Sequence, residues 1–126
     1  MAKIMIVDDA AFMRARLRQI VTDGGHEVVF EAASGYEAIQ SYMFYRPDLV
    51  TMDVTMPGLA GTEAVKQIKQ KDPSAKIVMC SAFSQRHLVV EAIRLGALDF
   101  IVKPFQEMRV LDSIHHILVN WEHAPA

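Results

Sequence analysis

The chain has 126 residues, 52% of them hydrophobic and 22% charged, and its formal net charge is −2. That is the size of one ordinary domain, with ample apolar content for a single core. It lacks the basic balance that nonspecific nucleic-acid binding requires, and no apolar run approaches the ~20 residues of a membrane span.

Met1-Ala2-Lys3-Ile4 leads straight into an apolar run, without the charged and apolar regions of a signal peptide. The lone cysteine, Cys80, excludes an intramolecular disulfide framework. The expectation is one cytoplasmic domain over residues 1–126.

Apolar runs of strand length alternate with segments of helical period, the pattern of βαβ units and a parallel sheet. The first strand covers about Lys3–Val7 and the first helix about Ala11–Asp23, with Met13, Leu17, Ile20 and Val21 on one face. Gly24-Gly25 stops that helix, and a second strand covers about Glu27–Glu31. Ser34-Gly35-Tyr36-Glu37 reads as a capping box for a second helix, with Ala38, Ile39 and Met43 facing inward and an end before Pro47. The third strand, about Asp48–Met52, is nearly all apolar, as a strand covered on both faces should be.

Met56-Pro57-Gly58-Leu59-Ala60-Gly61 has the composition of a loop. A third helix follows over about Thr62–Gln70, burying Val65 and Ile68, and Asp72-Pro73 breaks it. The fourth strand is Lys76–Cys80, and a fourth helix runs over about Ser84–Leu95, with Ser84 as N-cap and Gly96 as a left-handed terminator. The fifth strand is Asp99–Val102. A last helix carries Val110, Ile114, Ile117 and Trp121 at helical spacing, flanked by Leu111 and Leu118. The fold class is α/β, a doubly wound five-stranded parallel sheet with five helices. Periodicity leaves the strand order open.

In such a sheet the strand C-termini share one edge, where ligands bind. Asp8 and Asp9 close the first strand, Asp53 the third, Ser81 the fourth, and Lys103-Pro104 the fifth. Any one of these residues alone reads as a turn, cap or surface charge; their joint placement on one edge is the signal. Crowded acids repel and call for a divalent cation, a basic partner, or both. Asp8 and Asp9 alternate in direction, so one can ligate a metal while the other holds a bound water. Mg²⁺ suits carboxylate oxygens, and the Thr55 carbonyl can add a ligand. Asp53 is a candidate nucleophile, ionised at neutral pH without a base. Lys103 and Ser81 can offset charge on a transferring phosphoryl group. His26, His87, His115, His116 and His123 have no ligand spacing with the acids, and Cys80 reads as a small buried apolar residue.

The pattern resembles the receiver domain of two-component response regulators over essentially the whole chain. The matching stretches are Ile6-Val7-Asp8-Asp9, Met52-Asp53-Val54-Thr55-Met56-Pro57-Gly58, Ser81-Ala82 and Asp99-Phe100-Ile101-Val102-Lys103-Pro104-Phe105. Asp9-Ala10-Ala11-Phe12-Met13-Arg14 and the compact length are most similar to the stand-alone chemotaxis members. The resemblance implies a flavodoxin-like sheet of order 2-1-3-4-5. It implies a histidine kinase as phosphodonor, with Asp53 as acceptor. Mg²⁺ (or Mn²⁺) would sit on Asp9, Asp53 and the Thr55 carbonyl, with Asp8 acting through water. Ser81 and Lys103 would hold the phosphoryl group, and Lys103-Pro104 would be a cis peptide.

It further implies that Ser81 and Phe100 form a switch pair, and that the surface of the fourth helix, fifth strand and fifth helix changes its partner affinity. The product is a phospho-accepting switch supporting only its own phosphotransfer and dephosphorylation. Its partners would be the kinase, a target such as a flagellar motor component or the next phosphorelay member, and a phosphatase. Neither nucleic acid nor membrane is a direct partner. Ser81 stands where the family commonly has threonine and Phe100 where it often has tyrosine. Thr55 and Phe83 occupy positions that influence attack of water on the aspartyl phosphate.

Three other readings remain. An aspartate-dependent phosphatase would need a second aspartate two residues after Asp53, where this chain has Thr55. A second reading is the receiver of a larger, for example DNA-binding, regulator, with His123-Ala124-Pro125-Ala126 opening a linker. A flavin-binding flavodoxin is disfavoured, because the loop after the first strand is acidic where a hydroxyl-rich phosphate cradle is expected.

Overall fold

The computed structural model describes residues 1–122, with side chains to Asn120. The expected inward packing of Trp121 and the candidate linker after it lie outside the described residues. Among these, the elements are β1 (Lys3–Val7), α1 (Ala11–Asp23), β2 (Glu27–Ala32), α2 (Gly35–Tyr45), β3 (Leu49–Asp53), α3 (Gly61–Lys71), β4 (Ile77–Ser81), a 3-10 turn (Phe83–Gln85), α4 (Arg86–Arg94), β5 (Asp99–Val102) and α5 (Glu107–Glu122). The five strands are parallel, in the order β2-β1-β3-β4-β5. No helix among the described residues is long and apolar enough to cross a membrane.

The period-2 alternation of the strands divides the core into two layers. Met5, Val7, Val50, Met52, Ile77 and Met79 face one side and pack against α2, α3 and α4. Ile4, Ile6, Leu49, Val78, Cys80 and Ile101 face the other, against Leu17, Ile20 and Val21 of α1 and Val110, Ile114 and Ile117 of α5. Right-handed crossovers force this division: the chain moves one way from β1 to β2 and the opposite way from β1 through β3 to β5. The winding direction reverses at β1 and β3, so a crevice opens beyond their C-terminal ends.

Helix ends follow local chemistry, with some differences from expectation. Ser34 accepts the Glu37 N–H at 3.1 Å, as a capping box requires. The Glu37 carboxylate, however, reaches the Ala33 N–H at 2.8 Å, one residue further back than Ser34. Gly96 takes a φ of +119° just past α4, the left-handed turn that glycine adopts without a Cβ clash. Ser84 is not a helix cap. It lies within the 3-10 turn, and Gln85 caps that turn instead, its side chain accepting the Ala82 N–H at 2.9 Å. Both β3 and β4 run one residue further than their apolar composition indicates. Asp53 pairs with Cys80 and Ser81 pairs with Val102, so the ladder carries two polar side chains to its rim.

Candidate functional site

β1 and β3 are neighbours, with Val7 opposite Met52, and this register delivers Asp8 and Asp53 to the same rim. Asp8 is buried and fixed by its own loop. Its N–H donates to the Ala32 carbonyl, its carboxylate accepts the Ala10 N–H at 2.9 Å, and the Arg14 guanidinium donates to its carbonyl at 2.7 Å. Asp9, next in the chain, points outward and is exposed. Asp53 is 5% exposed, and its carboxylate accepts the Thr55 N–H. One carboxylate oxygen from each of Asp8, Asp9 and Asp53 lies within 4.8 Å of the others, the cluster among the described residues that can hold a metal ion.

The residue that follows β5 supplies the counter-charge. Lys103 Nζ lies 2.8 Å from Asp8 Oδ2 and 3.4 Å from Asp53 Oδ1. Its backbone N–H donates to the Ser81 carbonyl at 2.8 Å, which ties the end of β5 to the end of β4. The Lys103–Pro104 peptide bond is cis. Ser81 is 1% exposed, and it shares a sheet face with Phe100: Ser81 pairs with Val102, and Met79, two residues before it, pairs with Phe100. Phe100 is half-buried against the layer under α2–α4.

Among the described residues, one ammonium meets three carboxylates at this rim, and the balance shows in their acidities. Burial, then the neighbouring Asp8 charge, push the Asp53 carboxyl up to about 6. Lys103 and the Thr55 N–H offset only part of that rise. Asp53 is therefore less fully ionised near neutrality than an ordinary aspartate, roughly nine-tenths at pH 7. Burial alone would lower the Lys103 ammonium, but Asp8 and Asp53 hold it above its ordinary value. Such a site is short of positive charge, and its donors are carboxylate oxygens. Those two properties fit a hard divalent cation such as Mg²⁺.

Two residues that shape the rim escaped the sequence reading. Gly61 opens α3 directly beneath Asp53. A Cβ there would lie 1.9 Å from the Asp53 carbonyl oxygen, so only glycine permits this approach. In sequence it merely ends a Gly- and Pro-containing loop. Gln85 donates to the Thr55 hydroxyl at 2.8 Å, joining the loops after β3 and β4. A glutamine at the start of a helix otherwise reads as a solvated surface residue.

Residues 4–115 match the family model described as the response regulator receiver domain. The chain is 51% identical over 115 residues to the chemotaxis protein CheY of Thermotoga maritima, covering 91% of this chain and 96% of that protein. It is 53% identical over 116 residues to CheY of Bacillus subtilis, covering 92% and 97%. Among solved structures, it is similar to the CheX–CheY–BeF3–Mg²⁺ complex of Borrelia burgdorferi, at 35% identity and a TM-score of 0.88, covering 94% of this chain and 90% of that one. The response regulator domain of T. maritima CheB aligns at 33% identity and a TM-score of 0.82, covering 98% of both chains.

Proposed function

Because the chain belongs to the response regulator receiver domain family, we propose that it is a stand-alone, CheY-like regulator that takes a phosphoryl group from a histidine kinase onto Asp53 and thereby switches its binding to another protein. The observation that carries this reading is the placement of Asp53: a buried carboxylate within reach of Lys103 and beside two further acids. In the transfer, an Asp53 oxygen forms a bond to phosphorus as the phosphorus–nitrogen bond to the donor histidine breaks. The electron pair leaves with the imidazole, and no base is needed on Asp53.

Asp9, Asp53 and the Thr55 carbonyl would hold Mg²⁺ (or Mn²⁺), with Asp8 contributing through water. The cation would supply charge stabilisation to the transferring oxygens. Lys103 stands ready to exchange its contact with Asp53 for a phosphoryl oxygen, and the Ser81 hydroxyl can donate to another. Ser81 drawn toward the phosphoryl group would vacate space on the face it shares with Phe100, and that ring would turn inward. The surface of α4, β5 and α5 would change with it. Chemotaxis or motility is the output favoured by the similarity to CheY proteins. The downstream target would then be a flagellar motor component or a similar docking protein. The B. burgdorferi relative, solved in complex with CheX, makes a CheX-like protein a further candidate partner. We read residues 1–126 as one domain working in the cytoplasm, where the phosphodonor would meet it.

Incubation with Mg²⁺ and acetyl phosphate, followed by intact mass measurement, tests the reading. One phosphoryl adduct is expected on the wild type and none on Asp53→Asn. No adduct on the wild type, or an undiminished one on Asp53→Asn, overturns it. A pull-down from native lysate with and without beryllofluoride then identifies the target.

A further inference from the structure

Gln85 uses both ends of its side-chain amide. Nε2 donates to the Thr55 hydroxyl at 2.8 Å, and Oε1 accepts the Ala82 N–H at 2.9 Å. Its backbone N–H also donates to the Ala82 carbonyl at 3.0 Å, so the turn it closes is held at two points. The two residues it joins sit next to the reacting groups. Thr55 presents its own N–H to the Asp53 carboxylate, and Ala82 directly follows Ser81. The bond to Thr55 lies on the solvent side, while Asp53 and Ser81 behind it are buried. A planar amide held at both ends fixes the spacing of the two loops, where two unlinked loops would be free to part.

We propose that Gln85 is a positioning residue whose amide ties the loop after β3 to the loop after β4 across the mouth of the acid cluster, and so restricts the access of water to phosphorylated Asp53. This rests on the reading of Asp53 as the phosphoryl acceptor. In the step it restrains, a water oxygen forms a bond to phosphorus and the bond from phosphorus to the Asp53 oxygen breaks. The Asp53 carboxylate is restored, inorganic phosphate leaves, and the water protons pass to phosphate and solvent. The attacking water must reach phosphorus opposite the Asp53 oxygen, and so must enter from the solvent side between these two loops.

The test follows the loss of the phosphoryl adduct by intact mass, after acetyl phosphate has been removed from Mg²⁺-loaded protein. Gln85→Ala and Thr55→Val should each shorten the adduct's lifetime by roughly 3- to 10-fold, the range that one neutral hydrogen bond carries. The double variant should decay no faster than the faster single, because both changes break the same bond. A purely structural role would lower the thermal midpoint in proportion to the faster decay; here the lifetime should shift while the midpoint holds. Wild-type decay in Gln85→Ala, or multiplicative effects in the double variant, overturns the inference alone. A wild type that takes up no phosphate overturns the functional reading, and this inference with it.

Discussion

Asp53 and Asp99 are both partly or fully buried aspartates at strand ends, yet their surroundings drive them in opposite directions. Burial and the Asp8 charge push the Asp53 carboxyl up to about 6, and a single shared lysine does not compensate. Burial also pushes Asp99 up, but its partners more than cancel the effect and leave it below the ordinary value. Asp99 accepts from the Ser113 hydroxyl at 2.6 Å, the Phe100 N–H at 2.8 Å, and the Arg109 guanidinium at 3.2 and 3.3 Å. Arg109 also donates to the Phe100 carbonyl at 2.8 Å, pinning β5 to α5. One acid is saturated with donors and serves the fold. The other is left short of positive charge, which is the condition in which a carboxylate gains from a cation.

The sharpest way to break this contrast is to remove the one counter-charge at the deficient site. Lys103→Met leaves Asp8 and Asp53 buried without their ammonium and should cost about 3 kcal/mol of stability, the scale for a broken buried pair. Chemical denaturation in a chelator measures the loss. Millimolar Mg²⁺ should recover part of it, since a ligand that binds only the native state stabilises by mass action.

Asp99→Ala should cost about 2 kcal/mol at neutral pH, because it strips a charged acceptor from the buried Ser113 hydroxyl and from Arg109. Mg²⁺ should not recover that loss. Asp53→Asn moves the other way. In a chelator it should stabilise the fold by about 1–2 kcal/mol at pH 7, since the native carboxylate is held above its unfolded value.

The pH dependences separate the two acids further. Asp53 binds its proton more tightly in the native than in the unfolded chain, so its contribution to stability falls as pH rises from about 4 to about 6. The gain from Asp53→Asn should therefore appear across that window and level off above it. Asp99 contributes its stabilisation fully above the ordinary carboxylate range and loses it as pH falls through its depressed native value. The smallest expected effect is that of Arg109→Lys. It keeps the charge but loses the two-pronged contact on a half-exposed side chain, at a cost of about 0.5–1 kcal/mol by thermal unfolding.

The residues that meet at the rim were legible in the sequence. Asp8, Asp9, Asp53, Ser81 and Lys103 announce themselves because polar residues at the ends of apolar runs are placed by period-2 alternation, which is local. The helix faces of α1 and α5 were legible for the same reason: Leu17, Ile20 and Val21, and Val110, Ile114 and Ile117, are spaced by one helix's geometry. Strand ends were less so. Asp53 and Ser81 fall one residue past the apolar runs, and composition alone cannot register that a neighbouring strand continues to pair with them. Gln85 and Gly61 were not legible at all. Gln85 matters through Thr55, 30 residues away, and Gly61 through the Asp53 carbonyl that packs over it.

The sequence by itself determined the alternation of strands and helices and the chemical types that arrive at the rim, because both follow from near-neighbour spacing and side-chain identity. Only the tertiary structure decided which acid is satisfied and which is not. Charge balance at a point depends on burial and on partners from distant segments. Lys103, just after β5, must be shared between Asp8 after β1 and Asp53 of β3, while Arg109 and Ser113 of α5 both donate to Asp99.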